Sequence, residues 1–402
     1  MSEPMHLSRR SFFRVSGAIA GAVVAAPILT EAQLALAQVP KRREHSAIEM
    51  VFPPDAVLIN ANENPLGPSP AALEAITRSA VKGGRYEHSF TAELTQTFAE
   101  QEGLKPESIA VYAGSSEPLH YSSLAFCSPQ HSYVFADPTF ESGPRAAELA
   151  GAKTIGVPLT KNYAHDVKAM VAADPNAGLI YICNPNNPTG TLTSKADIVW
   201  ALEHKPKSAI LLIDEAYIHL SDAESCIDLV KADKDVIVLR TFSKIYGMAG
   251  IRCGFALARP DLLDKLRAYG MNSMPITAAA AATACLKDPS LVPARKKIIA
   301  GIRNETFAWL AANNFSFIPS QSNCFMIDTK RDGKAVINAM AEKKIYIGRT
   351  WPVWPSSVRI TVGTKEEMAK FQTAFKEVMN SPLKAANGPA PELRHQPAWF
   401  LS

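Results

Sequence analysis

A chain of 402 residues that is 47% hydrophobic and 20% charged carries too much apolar material for a disordered or collagen-like polymer. It is also long enough to bury a core without disulfides or structural zinc. Lys and Arg number 42 against 38 Asp and Glu, for a net charge of +4, a balance that argues against a nucleic-acid partner. The six cysteines, at 127, 183, 226, 253, 285 and 324, form no C-x-x-C pair, so the pattern points to neither a zinc site nor a disulfide framework, and no metal is expected.

The first 37 residues read as an address. Ser8-Arg9-Arg10-Ser11-Phe12-Phe13 is a twin-arginine pattern; an apolar stretch runs from Val15 to Leu29, and Ala35-Leu36-Ala37 supplies small residues for cleavage before Gln38. That order is the one found in export signals. The apolar run is about 15 residues against the roughly 20 needed to span a bilayer. The expectation is a periplasmic or secreted protein that touches the membrane only during export.

An extended arm with Pro40, Pro53 and Pro54 follows over 38–60, and Ser69 caps a helix that begins Pro70-Ala71-Ala72-Leu73. From about residue 91, short apolar runs at 109–112, 133–136, 154–158, 179–183, 210–213, 236–239 and 253–257 alternate with helical segments that include 91–102, 140–150, 194–204 and 222–231. Such alternation predicts a largely parallel sheet covered by helices on both faces. A long Ala-rich helical region covers 276–314. Beyond it, runs at 325–327, 345–347 and 359–362 alternate with helices near 333–343 and 364–379, the pattern of a smaller α+β domain. Residues 381–402, with four prolines and no apolar period, read as a tail.

The residues able to do chemistry gather where the runs end. The run at 209–213 ends in Asp214-Glu215-Ala216-Tyr217; an acid in that position is often only a helix cap. The run at 236–240 is followed by Thr241-Phe242-Ser243-Lys244, and Arg252 stands further on within Gly247-Met248-Ala249-Gly250-Ile251-Arg252-Cys253-Gly254. Asn184-Pro185-Asn186-Asn187-Pro188-Thr189-Gly190 follows the run at 179–183 and on its own is a proline-rich turn. Gly114-Ser115-Ser116-Glu117 joins another run to a helix, whose free backbone N–H groups can hold a phosphate. Together these are the parts needed to hold an aromatic phosphate cofactor that bears an aldehyde. Lys244 is the amine for the aldehyde, and Asp214 the carboxylate that keeps a pyridine nitrogen protonated. Tyr217 and Asn187 reach a ring hydroxyl. Gly114, Ser115, Ser116, Thr241, Ser243 and Arg252 surround a phosphate.

With these residues in view, the chain resembles the fold-type I pyridoxal-phosphate enzymes of the class I and II aminotransferases, and among them the histidinol-phosphate aminotransferases. Further support comes from Asn60-Ala61-Asn62-Glu63-Asn64-Pro65-Leu66-Gly67-Pro68 and Val358-Arg359-Ile360-Thr361-Val362-Gly363-Thr364, and the likeness runs in order from about 45 to 380. The resemblance implies an α/β fold: a large domain with a mostly parallel central sheet plus a smaller α+β domain. On that reading the chain divides into the signal at 1–37, an arm and part of the small domain at 38–85, the large cofactor-binding domain at 86–275, the small domain at 276–380 and the tail.

The resemblance also implies pyridoxal 5′-phosphate as cofactor and a small-molecule amino donor and 2-oxo acid acceptor that use the site in turn. Lys244 resembles the cofactor lysine and Arg359 the arginine that grips the substrate's acid group, with Arg349 helping and Asn62 at the substrate. Tyr86, after Arg85, matches a tyrosine that reaches the cofactor phosphate of a neighbouring subunit, which implies a homodimer. Phe140 stands where relatives usually place a tyrosine against the ring, and Glu87-His88 stands where relatives commonly have proline and aspartate. Trp351-Pro352-Val353-Trp354-Pro355, between the two arginines, offers flat apolar faces and favours a donor with an aromatic or long side chain. Two alternatives use the same residues: a decarboxylase of the threonine-phosphate type, and a periplasmic protein that binds the cofactor without catalysis.

Overall fold

A computed structural model describes residues 52–270 and 274–382. The export signal, most of the 38–60 arm and the tail beyond 382 lie outside the described residues.

The strands, in chain order, are β1 (Val57–Ile59), β2 (Ile109–Tyr112), β3 (Ser132–Asp137), β4 (Thr154–Pro158), β5 (Ala177–Cys183), β6 (Ile210–Asp214), β7 (Val236–Thr241), β8 (Gly254–Leu257), β9 (Ser316–Phe317), β10 (Cys324–Asp328), β11 (Ile345–Ile347) and β12 (Ser357–Thr361). Seven of them form one sheet in the order β2-β8-β7-β6-β5-β3-β4. The pairs from β7 through β6, β5 and β3 to β4 are all parallel. Only β8 runs against its neighbours. Its reversal follows from its connection: residues 242–253 contain no helix, so the chain returns beside β7 without the crossover that a parallel strand needs.

Alternation along the central strands sorts the core. Tyr181, Leu212 and Leu239 face one side, with Leu119 from the helix Ser116–Phe126 and Leu262 from Pro260–Arg267. Ile182, Ile213 and Val238 face the other, with Phe98 from Ser89–Glu102 and Ile198 from Lys195–His204. Both sides are covered, which is why β5 and β6 are continuous apolar runs, buried throughout. Each large apolar side chain so buried contributes roughly 1.5–3 kcal/mol.

The helix Pro70–Ala80 starts as its sequence predicts: Ser69 Oγ accepts from Ala72 N at 3.2 Å, with Pro70 in the first turn. Two helical expectations change. The Ala-rich region is two helices, Ile276–Leu286 and Leu291–Ala312. They part around Pro289, which has no N–H to continue the ladder, and Asp288 Oδ1 accepts from Ser290 N at 3.0 Å. The expected 222–231 helix shrinks to Ile227–Lys231, because Glu215 takes the Cys226 N–H at 2.6 Å and the Ser225 hydroxyl at 2.9 Å.

Beyond the large sheet, β9, β10 and β12 form an antiparallel sheet, and β1 pairs in parallel with β11. The end of the expected arm is therefore a strand. It carries Asn60 and Asn62 toward β12, where Arg359 lies opposite Met326. In the large sheet, Cys183 pairs with Asp214 and Asp214 with Leu239. The segments that follow β5, β6 and β7 therefore leave the sheet side by side, at the carboxyl ends of parallel strands, where such sheets open a crevice.

Candidate active site

The crevice is a cavity of about 370 Å³ lined by Ser115, Ser116, Phe140, Cys183, Asn187, Asp214, Ala216, Tyr217, Thr241, Ser243 and Lys244. Most of the residues singled out in the sequence thus meet in one place, although they span 130 positions of the chain.

Asp214 ends β6 and is buried. Tyr181 Oη donates to its Oδ2 at 2.9 Å and the Ala216 N–H donates to its Oδ1 at 3.0 Å. Burial pushes the carboxyl above its usual range, opposed by the Tyr181 hydrogen bond, the Ala216 amide and the Lys244 charge. A cation placed against this carboxylate would remove that penalty, and a protonated pyridine nitrogen is such a cation. Lys244 is buried as well. Its ammonium is pushed down to about 8, chiefly by burial and then by the Arg359 charge, and its Nζ lies 5.5 Å from the centre of the Tyr217 ring.

Tyr217 Oη accepts from Asn62 Nδ2 at 3.0 Å, which leaves its own proton free to donate. Asn187 Oδ1 accepts from Arg359 Nη1 at 3.0 Å, which leaves Nδ2 as its donor. Both residues therefore have a proton to give to a ring oxygen.

The phosphate end is built from Gly114 to Ser116 and from the loop after β7. Thr241 Oγ1 donates to Ser243 Oγ at 2.9 Å, and its oxygen accepts the Ser243 N–H at 3.1 Å. The helix Ser116–Phe126 has no side-chain cap at its N-terminus, so its first N–H groups are open to an anion. Arg252 donates to Ala249 O at 2.9 Å and lies close against Gly114. That glycine has φ +98°, and a Cβ on it would sit 2.3 Å from Arg252 Nη2. Only glycine admits both the backbone angle and the guanidinium. Hydroxyls, a guanidinium and an uncapped helix start form a donor set that fits a phosphate. With the amine and the carboxylate deeper in the cavity, the residues present fit pyridoxal phosphate.

The substrate side holds two arginines. Arg359 is buried, donates to Asn60 O at 2.6 Å, and has a buried Nε without a hydrogen-bond partner. No carboxylate forms an ion pair with it among the described residues. Its guanidinium stands 5.6 Å from the centre of the Trp351 ring, and that of Arg349 stands 4.6 Å from the same ring. Arg349 is paired, its Nη1 lying 2.7 Å from Glu141 Oε2.

Two placements differ from the sequence reading. Asn62, expected at the substrate, has its side chain engaged: Nδ2 reaches Tyr217, Asn187 and Cys324, and Oδ1 accepts from Thr361. Its φ of 54° turns the amide inward to brace Tyr217. Trp351 does not present an open face; it is buried beneath the arginines, while Trp354 packs edge-on to Tyr163 at 5.7 Å. Tyr86, expected at the site of a neighbouring subunit, lies outside the cavity of its own chain and is 76% exposed. Sequence reasoning missed Tyr181 and Glu141. Tyr181 could have been found: it lies two residues before Cys183 on a strand registered with β6, hence on the face of Asp214. Nothing in the sequence marks Glu141.

Residues 54–375 match the family described as "Aminotransferase class I and II". The chain belongs to that family. This aminotransferase is 32% identical over 333 residues to a histidinol-phosphate aminotransferase of Moorella thermoacetica, covering 81% of this chain and 86% of the relative. It is 33% identical over 318 residues to an aromatic amino acid aminotransferase of Cutibacterium acnes, covering 78% and 90%. Among solved structures, the histidinol-phosphate aminotransferase of Sinorhizobium meliloti, determined in complex with pyridoxal 5′-phosphate, superposes with a TM-score of 0.75 at 26% identity, over 81% of this chain and 91% of that one. The aminotransferase is therefore a pyridoxal-phosphate-dependent enzyme of the α/β fold expected from its sequence, moving an amino group between an amino donor and a 2-oxo acid. These relatives do not favour the decarboxylase and non-catalytic readings.

Proposed function

We propose that the enzyme transfers the amino group of an amino acid with an aromatic side chain to a 2-oxo acid, with Lys244 as the residue that moves the proton. One observation carries the donor reading: Arg359 is a buried cation without a carboxylate partner among the described residues, set over the Trp351 ring and bonded to Asn187 of the cavity that Phe140 and Tyr217 also line. A buried guanidinium costs several kcal/mol unless an anion joins it, and a donor's α-carboxylate is such an anion. The names of the relatives share a chemical feature, because both histidinol phosphate and the aromatic amino acids carry a flat ring near the reacting amine.

Pyridoxal phosphate, when bound, supplies an aldehyde and a ring that takes up the electron pair left when the donor loses its Cα proton. The chain's residues do the rest. Asp214, fixed by Tyr181 and Ala216, would be the counter-charge of the ring nitrogen. Tyr217 and Asn187 would donate to the ring oxygen with the protons that Asn62 and Arg359 leave free. Arg359 binds the donor's carboxylate and so fixes which Cα bond points at Lys244. Lys244 Nζ, its pKa lowered to about 8, removes the Cα proton as general base in its neutral form and later gives it back as general acid. Acceptor follows donor through the same groups in reverse, so the kinetics are ping-pong.

The test is a single half-reaction with phenylalanine, histidinol phosphate, glutamate and aspartate, followed by the cofactor's absorbance. Phenylalanine should give the highest kcat/KM, and Arg359→Met should lower it about a hundredfold, the worth of a lost charge-assisted pair of about 3 kcal/mol. Aspartate as the best donor would overturn the reading.

We also propose export by the twin-arginine route, supported by Arg9 and Arg10 ahead of the apolar stretch. Among the described residues no helix is long and apolar enough to cross a membrane. Replacing both arginines with lysine keeps the charge but not the guanidinium; unchanged periplasmic activity in that double variant would exclude the route.

A further inference from the structure

The two arginines that share Trp351 differ in one respect. Arg359 has no ion-pair partner among the described residues. Arg349 already has one, with Nη1 2.7 Å from Glu141 Oε2. The same oxygen accepts from Arg145 Nη2 at 3.1 Å, one helical turn further on and half exposed. Glu141 is not a remote surface acid: it follows Phe140, whose ring lines the cofactor cavity, and it lies across from the strand segment that carries Arg349.

Charge arithmetic at the ring then follows. Of the two cations at the Trp351 ring, Arg349 is paired with Glu141. Arg145 shares that carboxylate from a half-exposed position where solvent screens its charge, and Arg359 is left as the one arginine at the ring without an ion-pair partner among the described residues. A carboxylate, with one negative charge, matches it. A phosphate monoester carries about −1.5 to −2 near neutral pH and needs a second cation that Glu141 has already engaged. A second carboxylate brought to Arg349 would meet Glu141 as a like charge.

We propose that Glu141 is an internal counter-ion that fills the second anion place of the substrate site, so that the enzyme takes donors with one carboxylate and an uncharged ring and discriminates against phosphate monoesters and dicarboxylates. This rests on the aromatic-donor reading and deepens it, by separating the two donor classes for which its relatives are named. Glu141 acts through Arg349 and not on the reacting atoms; it is a specificity-determining positioning residue.

The test uses the holoenzyme and two kinds of readout. In turnover, Glu141→Gln should shift the ratio of kcat/KM for histidinol phosphate to that for phenylalanine upward by about tenfold or more, mainly through KM. Glu141→Asp, whose carboxylate is drawn back from Arg349, should shift it in the same direction by less. Arg145→Gln should leave the ratio near wild type. In binding, calorimetry with the unreactive anions glutarate and 3-phenylpropanoate should show glutarate tightening about tenfold in Glu141→Gln while 3-phenylpropanoate changes little. An unchanged glutarate affinity, or an unchanged donor ratio in both Glu141 variants, overturns the proposal. The calorimetry reads Glu141 even if no aromatic donor reacts, so failure of the donor reading and failure of the counter-ion remain distinguishable.

Discussion

Lys244 is where pH acts most directly on this enzyme. Its ammonium is pushed down from 10.5 to about 8 by burial, with the Arg359 charge second. An amine attacks an aldehyde only when neutral. At pH 7 an amine with a pKa of about 8 is about one-tenth neutral, against about three parts in ten thousand at 10.5, so the fold raises the reactive form about 300-fold. The rate at which cofactor-free protein takes up pyridoxal phosphate should therefore climb about tenfold per pH unit below about 8 and flatten above it. Stopped-flow absorbance of the lysine-linked cofactor reads this directly. Arg359→Met removes the second cause and should move the bend upward. The sign for stability is also fixed. A lysine whose pKa is lower folded than unfolded binds fewer protons in the folded state between about 8 and 10.5. The cofactor-free protein should thus gain stability as pH rises through that window, and Lys244→Met should be the more stable of the two at pH 7 by denaturant melt. An uptake rate that keeps rising to about pH 10 would show that the amine is not depressed and would refute the reasoning.

Asp214→Asn keeps the shape but removes the counter-charge, and the half-reaction should slow by about a thousandfold, equivalent to about 4 kcal/mol of transition-state stabilisation; a variant within about tenfold of wild type would mean that Asp214 is only structural. Tyr86, exposed on a single chain, should complete the phosphate site of a second copy: sedimentation should show a homodimer, and Tyr86→Phe should weaken cofactor binding about tenfold without dissociating it. A fully active monomer would exclude this arrangement.

The large sheet was legible because its strands are buried on both faces and read as unbroken apolar runs, as at 179–183 and 210–213. The antiparallel β8 was not, because direction depends on the connection and not on the strand. Lys244, Asp214, Asn187 and the phosphate residues were legible because each stands at a strand end, where chain order and position in space coincide. Glu141 was not: its ion pair with Arg349 depends on side chains from distant segments meeting beside the Trp351 ring, and no local pattern records that. Asn62 shows the same limit, since its positive φ and its bond to Tyr217 depend on β1 pairing with β11.

Two adjacent acids show how the structure separates chemistry from scaffold. Asp214 and Glu215 are both buried at the end of β6, and the structure gives them different partners. Glu215 is saturated: it accepts from Arg240 Nε at 2.8 Å, Ser225 Oγ at 2.9 Å and Cys226 N at 2.6 Å. A carboxylate so paired already has its charge balanced by Arg240, and removing that partner would leave an uncompensated buried charge. Its task is to hold the loop after β6 against β7. Asp214 has a tyrosine hydroxyl and one backbone amide, and lines the cavity with no ion-pair partner among the described residues. Lys244 and Arg359 share that condition, buried and without ion-pair partners among the described residues. Buried charges without partners lower the stability of the ligand-free fold; an anionic substrate would offset Arg359 and a cationic ring Asp214, while burial already lowers the Lys244 pKa toward the neutral amine. The unpaired charges mark the active site, and the fully paired Glu215 and Arg240 mark the frame that holds it.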